Sequence, residues 1–229
     1  MIKNVLIDLD GTLLPMNQDE FLNGYFKVIG KKFKDYDVQK IMVSLNKGIN
    51  AMLHNDGVAT NEKVFWEVFF NDLDNDEKIA DIFLDMYKNE FQSLIKYTKP
   101  TLKAKKLVDL MKRKGLNIYV CTNPLFPTIA TYSRLKWANL NPEDFNHITT
   151  YENSSYCKPN INYYIEVLEK FDLDPKECIM IGNDVLEDLV VNKLGIKTFL
   201  LTDNLINTRD IDFVSDYEGN FDQLLDFFK

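Results

Sequence analysis

Three separate apolar runs in this chain each end in acids, hydroxyls or amides, and that repetition constrains the fold more than any other feature. The first, Ile2-Lys3-Asn4-Val5-Leu6-Ile7, leads into Asp8-Leu9-Asp10-Gly11-Thr12. The second, Asn117 to Cys121, is followed by Thr122-Asn123, and the third, Cys178 to Ile181, by Gly182-Asn183-Asp184. Short continuous apolar runs are what strands buried on both faces require. From Pro100 onward such runs alternate with helical patterns. Ala104, Leu107, Val108 and Met111 follow the i, i+3, i+4, i+7 spacing, and Lys112-Arg113-Lys114-Gly115 closes that helix, since basic residues in a last turn followed by glycine are a stop signal. A weaker strand near His147 to Thr150 precedes a helix with Ile161, Tyr164, Ile165 and Leu168 on one face. After the third run come a helix closed by Gly195 and a strand from Lys197 to Leu201. Strands separated by amphipathic helices predict an α/β fold with a parallel sheet covered on both faces.

Between the first run and Pro100 the pattern changes. Residues 16 to 97 carry no strand signal but several helical ones, such as Phe21, Leu22, Tyr25, Phe26, Ile29 and Ile79, Ile82, Phe83, Met86. The expected organisation is an α/β core from residues 1–15 and 98–229, with an inserted helical cap at 16–97. Leu13-Leu14-Pro15 and Thr98-Lys99-Pro100 are the expected hinge strands. With 229 residues the chain can bury such a core. Its net charge of −8 and lack of a basic stripe argue against nucleic acid as a partner. No apolar run approaches the ~20 residues of a membrane span. Cys121, Cys157 and Cys178 form no close pair and are expected to be reduced thiols. A cytoplasmic protein, monomeric or weakly dimeric and without a membrane partner, is expected.

In an open α/β sheet, ligands bind at the carboxyl ends of the strands. Three strands therefore deliver Asp8, Asp10, Thr122, Asn123 and Asp184 to one edge, and Lys158 stands at a helix start. Acids, a hydroxyl, an amide and a cation suit a phosphate held with a hard divalent cation better than an apolar ligand. Each piece has a plainer explanation. Asp10-Gly11 is a common turn dipeptide, and Asp184 can cap the following helix. Thr122-Asn123-Pro124 can be a helix-entry turn, and Lys158 a solvated lysine. Their convergence in chain order on one edge carries the functional reading.

Asp8-Leu9-Asp10-Gly11-Thr12, Thr122-Asn123, Lys158 and Gly182-Asn183-Asp184 with Asp188 resemble the four motifs of the haloacid dehalogenase superfamily, in the same order. The resemblance covers about residues 1–15 and 98–202. It implies a doubly wound, Rossmann-like core with an all-helical cap inserted after the first strand. The departure is Asn183, standing where many members have glycine directly before the acid; aligning Asp184 and Asp188 restores the usual acid spacing. The resemblance further implies Asp8 as nucleophile and Asp10 as general acid and base, with Mg2+ held by Asp8, the Asp10 carbonyl and Asp184. Gly11, Thr122, Asn123 and Lys158 would bind phosphate, while Asp188 and Asn183 would orient those groups. A phosphate and a carboxylate repel by about 4 kcal/mol per unit pair at ~4 Å and an effective dielectric of about 20, so these cations are needed.

Asp10 also separates subfamilies. Haloacid dehalogenases lack the second acid, because halide leaves without a proton, and phosphonate-cleaving relatives carry Ala there. The expected substrate is a small phosphorylated metabolite, with a sugar-phosphate mutase, a dehalogenase or a catalytically silent phosphate-binding module as alternatives. A signalling receiver domain would place its acceptor on a later strand. The aromatic helix Val64-Phe65-Trp66, Val68-Phe69-Phe70 serves either as cap core or, through Trp66 or Phe70, as a cleft wall. His54 is expected at the surface, without chemistry.

Overall fold

The computed structural model describes residues 1–71, 73 and 78–229. Six parallel strands lie in the order β3-β2-β1-β4-β5-β6. They are β1 (Asn4–Ile7), β2 (Asn117–Val120), β3 (His147–Ile148), β4 (Cys178–Gly182), β5 (Lys197–Leu201) and β6 (Tyr217–Gly219). Alternate residues of the central strands face opposite layers. Val5, Ile7, Ile118, Val120, Ile179 and Ile181 pack with apolar residues of helices α5 (Lys103–Arg113), α6 (Thr128–Trp137) and α8 (Phe221–Phe227). Leu6, Tyr119 and Met180 pack on the other side with helix α7 (Ile161–Lys170) and Val191. The sheet is thus covered on both faces, as continuous apolar strands demand. Register matters most at the centre, where Ile7 is level with Val120 on one side and Ile181 on the other. Asp8, Cys121 and Gly182 therefore leave the sheet side by side.

Residues 18–97 supply helices α1 (Gln18–Lys32), α2 (Val38–Leu53), α3 (Asn61–Phe70) and α4 (Lys78–Lys88), then a 3-10 helix, Glu90–Tyr97. Polar caps start three of them: Asn17 accepts from the Glu20 amide at 3.1 Å, Asp37 from Lys40 at 3.0 Å and Thr60 from Lys63 at 3.4 Å. Gly48 lets α2 meet α3, because a Cβ there would lie 2.6 Å from the Phe65 ring. The segments entering and leaving this insertion pair at Met16 and Thr98, and the Lys99 amide donates to the Pro15 carbonyl at 2.7 Å. Buried residues of the insertion, including Phe21, Phe69 and Phe83, belong to the same apolar cluster as Val5 and Ile7 of the sheet. No described helix is long and apolar enough to cross a membrane.

Three details differ from the sequence expectation. The helix before Gly195 is a 3-10 turn, Leu189–Leu194, ended by Gly195 at φ 76°. The third strand is cut to two residues. Strand β6 and helix α8, which extend the sheet and cover it near the C-terminus, have no counterpart in the sequence reading.

Candidate active site

After Ile7 the chain turns sharply. The Leu14 amide donates to the Leu9 carbonyl at 2.8 Å and the Gly11 amide to the Leu14 carbonyl at 2.9 Å. Gly11 takes φ +91°, and a Cβ there would lie 2.5 Å from the Asn183 side-chain nitrogen, so position 11 admits glycine on two counts. This turn holds Asp8 and Asp10 at the strand end. Asp8 is buried, and Lys158 Nζ donates to it at 3.0 Å and to Asp188 Oδ1 at 2.7 Å. Asp188 also accepts from the Asp184 amide at 3.0 Å, which ties the loop after β4 to the lysine. Burial opposes the charge on Lys158, but the Asp188 and Asp8 carboxylates override it and hold the ammonium well above its usual range. Burial pushes the Asp8 carboxyl up to about 8, against the pull of Lys158 and with the push of Asp188 and Asp10. One lysine does not neutralise the acids around it.

A cavity of about 250 Å³ opens above these groups, lined by Asp8, Asp10, Thr122, Asn123, Asn183, Asp184, Glu187 and Asp188. Of the residues singled out in the sequence, Gly11 and Lys158 do not line it: Gly11 lies behind Asn183, and Lys158 reaches it through Asp8. Asn183 is buried, accepting from the Thr12 hydroxyl at 2.8 Å and donating to the Asn204 carbonyl at 2.7 Å. Asp184 caps its own turn, accepting from the Leu186 and Glu187 amides at 2.7 and 2.9 Å, and still borders the cavity. The Asn123 amide donates to Glu187 at 2.9 Å, while its carbonyl oxygen is buried without a partner. His54, exposed just after α2, bonds the Asn50 carbonyl at 2.9 Å and does not line this cavity.

Two residues of the site escaped sequence reasoning. Arg134, fully buried on α6, pairs with Asp10 Oδ2, donates to Thr131 at 3.1 Å and lies over the Phe126 ring at 4.6 Å. An arginine on the face that also carries Ala130, Thr131 and Leu135 was the available signal. Burial raises the Asp10 carboxyl, with Arg134 pulling it back. Glu187 stands between Asp184 and Asp188, and burial pushes it up to about 7.

The site also bears on the metal that the motifs imply. Five acids line the cavity, and among the described residues only Lys158 and Arg134 form ion pairs with them. Asp10 Oδ1 is buried without a hydrogen-bond partner. Hard oxygen donors with excess negative charge fit Mg2+. Among the described residues no three acid, His or Cys side chains form a ready-made cage, so the fit rests on two carboxylates and a backbone carbonyl.

Comparison with known proteins shows a likeness in fold. A phosphatase of the haloacid dehalogenase superfamily from Thermococcus onnurineus superposes with a TM-score of 0.62 at 17% identity, over 99% of this chain and 97% of that one. A 2-haloacid dehalogenase from Pseudomonas syringae gives 0.65 at 14%, over 99% and 97%. The hydrolase YfnB from Bacillus subtilis, described as bound to magnesium, gives 0.58 at 18%, over 100% and 99%. At these identities the likeness is one of fold. No match is found among curated proteins. The family description of haloacid dehalogenase-like hydrolases matches residues 2–191, most of the chain, and this protein belongs to that family.

Proposed function

We propose that this hydrolase cleaves small phosphate monoesters through an aspartyl-phosphate on Asp8. The observation that carries the reading is the placement of two acids at the end of one strand. Asp8 is braced by Lys158, which Asp188 braces in turn, and Asp10 faces the same cavity on a separate tether, Arg134. A dehalogenase needs only the first of these. Asp10 supplies the proton that an alkoxide leaving group requires and a halide does not.

In this mechanism Asp8 attacks phosphorus, the ester oxygen departs, and Asp10 protonates it. Asp10, now a carboxylate, takes a proton from the water that next attacks the phosphoryl group, restoring Asp8. Burial raises the Asp10 carboxyl against the pull of Arg134, the direction a general acid needs. Thr122 and Asn123 donate to the phosphoryl oxygens, where charge is spread in the transition state, while Lys158 offsets that charge from behind Asp8. Asn123 does so once Glu187 releases it. Asp8, the Asp10 carbonyl and Asp184 would hold Mg2+, which supplies the positive charge that keeps Asp8 ionised and offsets its repulsion from phosphate. Helices of residues 16–97 stand over this edge as a cap that excludes water and bulky esters.

Purified protein should hydrolyse an aryl phosphate only with a divalent cation, and Asp8→Asn should abolish turnover. Full activity in excess chelator, or more than about a tenth of wild-type activity in the variant, would sink the mechanism; a general acid–base loss alone is about 10²–10⁴-fold. Under the same conditions a 2-haloacid should release no halide.

A further inference from the structure

A second cavity, of about 220 Å³, adjoins the first, and Leu22, Leu125 and Phe126 belong to the walls of both. Its remaining wall comes mainly from four helices of the insertion and is aromatic: Tyr25, Phe26, Phe65, Trp66, Phe83 and Tyr87. Trp66 of the aromatic helix therefore faces this space, whereas Phe70 stacks behind it at 5.2 Å. Among the described residues no charged side chain lines it. The Tyr25 and Tyr87 hydroxyls share one hydrogen bond at 2.6 Å, and Asn46 and Tyr151 are the other polar side chains among the described residues of the lining.

We propose that this chamber receives the alcohol portion of the substrate, and that the alcohol is apolar: an alkyl or aryl group of about six to eight carbons, the size for which an apolar cavity of this order is suited. The proposal rests on the phosphatase reading and deepens it. A phosphate seated at Asp8 lies on one side of Leu22 and Phe126, and its ester substituent has the second chamber on the other side. A sugar there would find only Asn46 and the tyrosine hydroxyls as partners and would leave its other hydroxyls facing apolar carbon, each a loss of about tenfold or more. An alkyl chain gains about fourfold per buried methylene. The two trends run in opposite directions, which makes the class of alcohol measurable.

The test is kcat/KM, with Mg2+, for ethyl, butyl and hexyl phosphate and for glucose 6-phosphate, all of which release a primary alcohol. The chamber predicts a rise of about fourfold per methylene up to hexyl, with hexyl phosphate at least about 100-fold ahead of the sugar. Ile49→Trp, which fills the chamber from α2, and Leu22→Trp, at a half-exposed position on the shared wall, should each flatten the series. A flat series in the wild type, or glucose 6-phosphate preferred, overturns the proposal. Acetyl phosphate, which has no alcohol to place, separates the two readings. If it is hydrolysed through Asp8 while the alkyl series is flat, the chamber proposal falls and the phosphatase stands. If no phosphate ester turns over, binding decides: hexylphosphonate binding at least about 100-fold tighter than methylphosphonate in calorimetry, lost in Ile49→Trp, supports the chamber alone. Equal binding of the two removes it.

Discussion

Arg134 has no place in the four motifs, yet it is the one guanidinium buried against an acid of the site among the described residues. A buried cation persists only where its partner compensates the lost hydration, and removing one partner costs about 3–5 kcal/mol. Arg134→Met should therefore lower stability by about 3 kcal/mol and, beyond that, lower kcat at temperatures where the variant is folded. Without its tether Asp10 is free to rotate away from the leaving oxygen, and the loss should stay within the general acid–base range of about 10²–10⁴. Arg134→Lys should recover part of the stability and little of the rate, because an ammonium lacks the fork that fixes a carboxylate. Equal kcat in wild type and both variants would show that the pair is structural only. This residue also marks the limit of what the sequence discloses. Asp8, Asp10, Asp184 and Lys158 follow strands or open helices, where periodicity points to them. Arg134 lies inside an amphipathic helix, where spacing with Ala130, Thr131 and Leu135 turns it inward but does not name the acid it meets. Glu187 is hidden differently, as one of three acids in five residues of which the motif names two.

At the scale of single elements, long periodic segments were readable and short ones were not. Helices α1, α5 and α7 lie where their apolar spacing puts them, since an amphipathic stripe is written across several turns. Strand β6 is three residues and half exposed at the sheet edge, so its pairing with β5, not its composition, makes it a strand. The opposite edge carries a pH-dependent contact. His147 of β3 lies 4.8 Å from the Phe171 ring, and burial, with Lys170 nearby, lowers its pKa from 6.5 to about 4. The unfolded chain then takes up a proton near pH 6.5 that the folded chain refuses until about pH 4. This contribution to stability is fully present above pH 6.5 and is lost as pH falls toward 4. Allowing for partial exposure it amounts to about 1–2 kcal/mol. His147→Phe should remove that slope between the two pH values in denaturant titrations, whatever its effect on the plateau. An unchanged slope would place the acid sensitivity elsewhere.

Across the whole molecule, the helical insertion and the sheet share one apolar cluster. Sequence reading set residues 16–97 apart because their pattern changes from strands to helices, and pattern says nothing about whether two regions bury a common face. Phe69 of α3 is fully buried in that cluster, and Phe69→Ala should cost about 3–5 kcal/mol. Insertion and sheet should then melt together at a lower temperature; a two-step melt with an intact sheet would contradict the shared core. The same continuity places an aromatic chamber beside an acidic one, the arrangement that the proposed phosphate ester of an apolar alcohol requires. Everything proposed for catalysis depends on Asp8 carrying the phosphoryl group. Intact and peptide mass spectrometry of acid-quenched Asp10→Asn protein, mixed with acetyl phosphate and Mg2+, tests this most directly, because without its general base the intermediate should accumulate. A gain of one phosphoryl mass is expected, confined to the peptide containing Asp8 and absent in chelator. Turnover of acetyl phosphate with no labelled protein, or a label on any other residue, would contradict it.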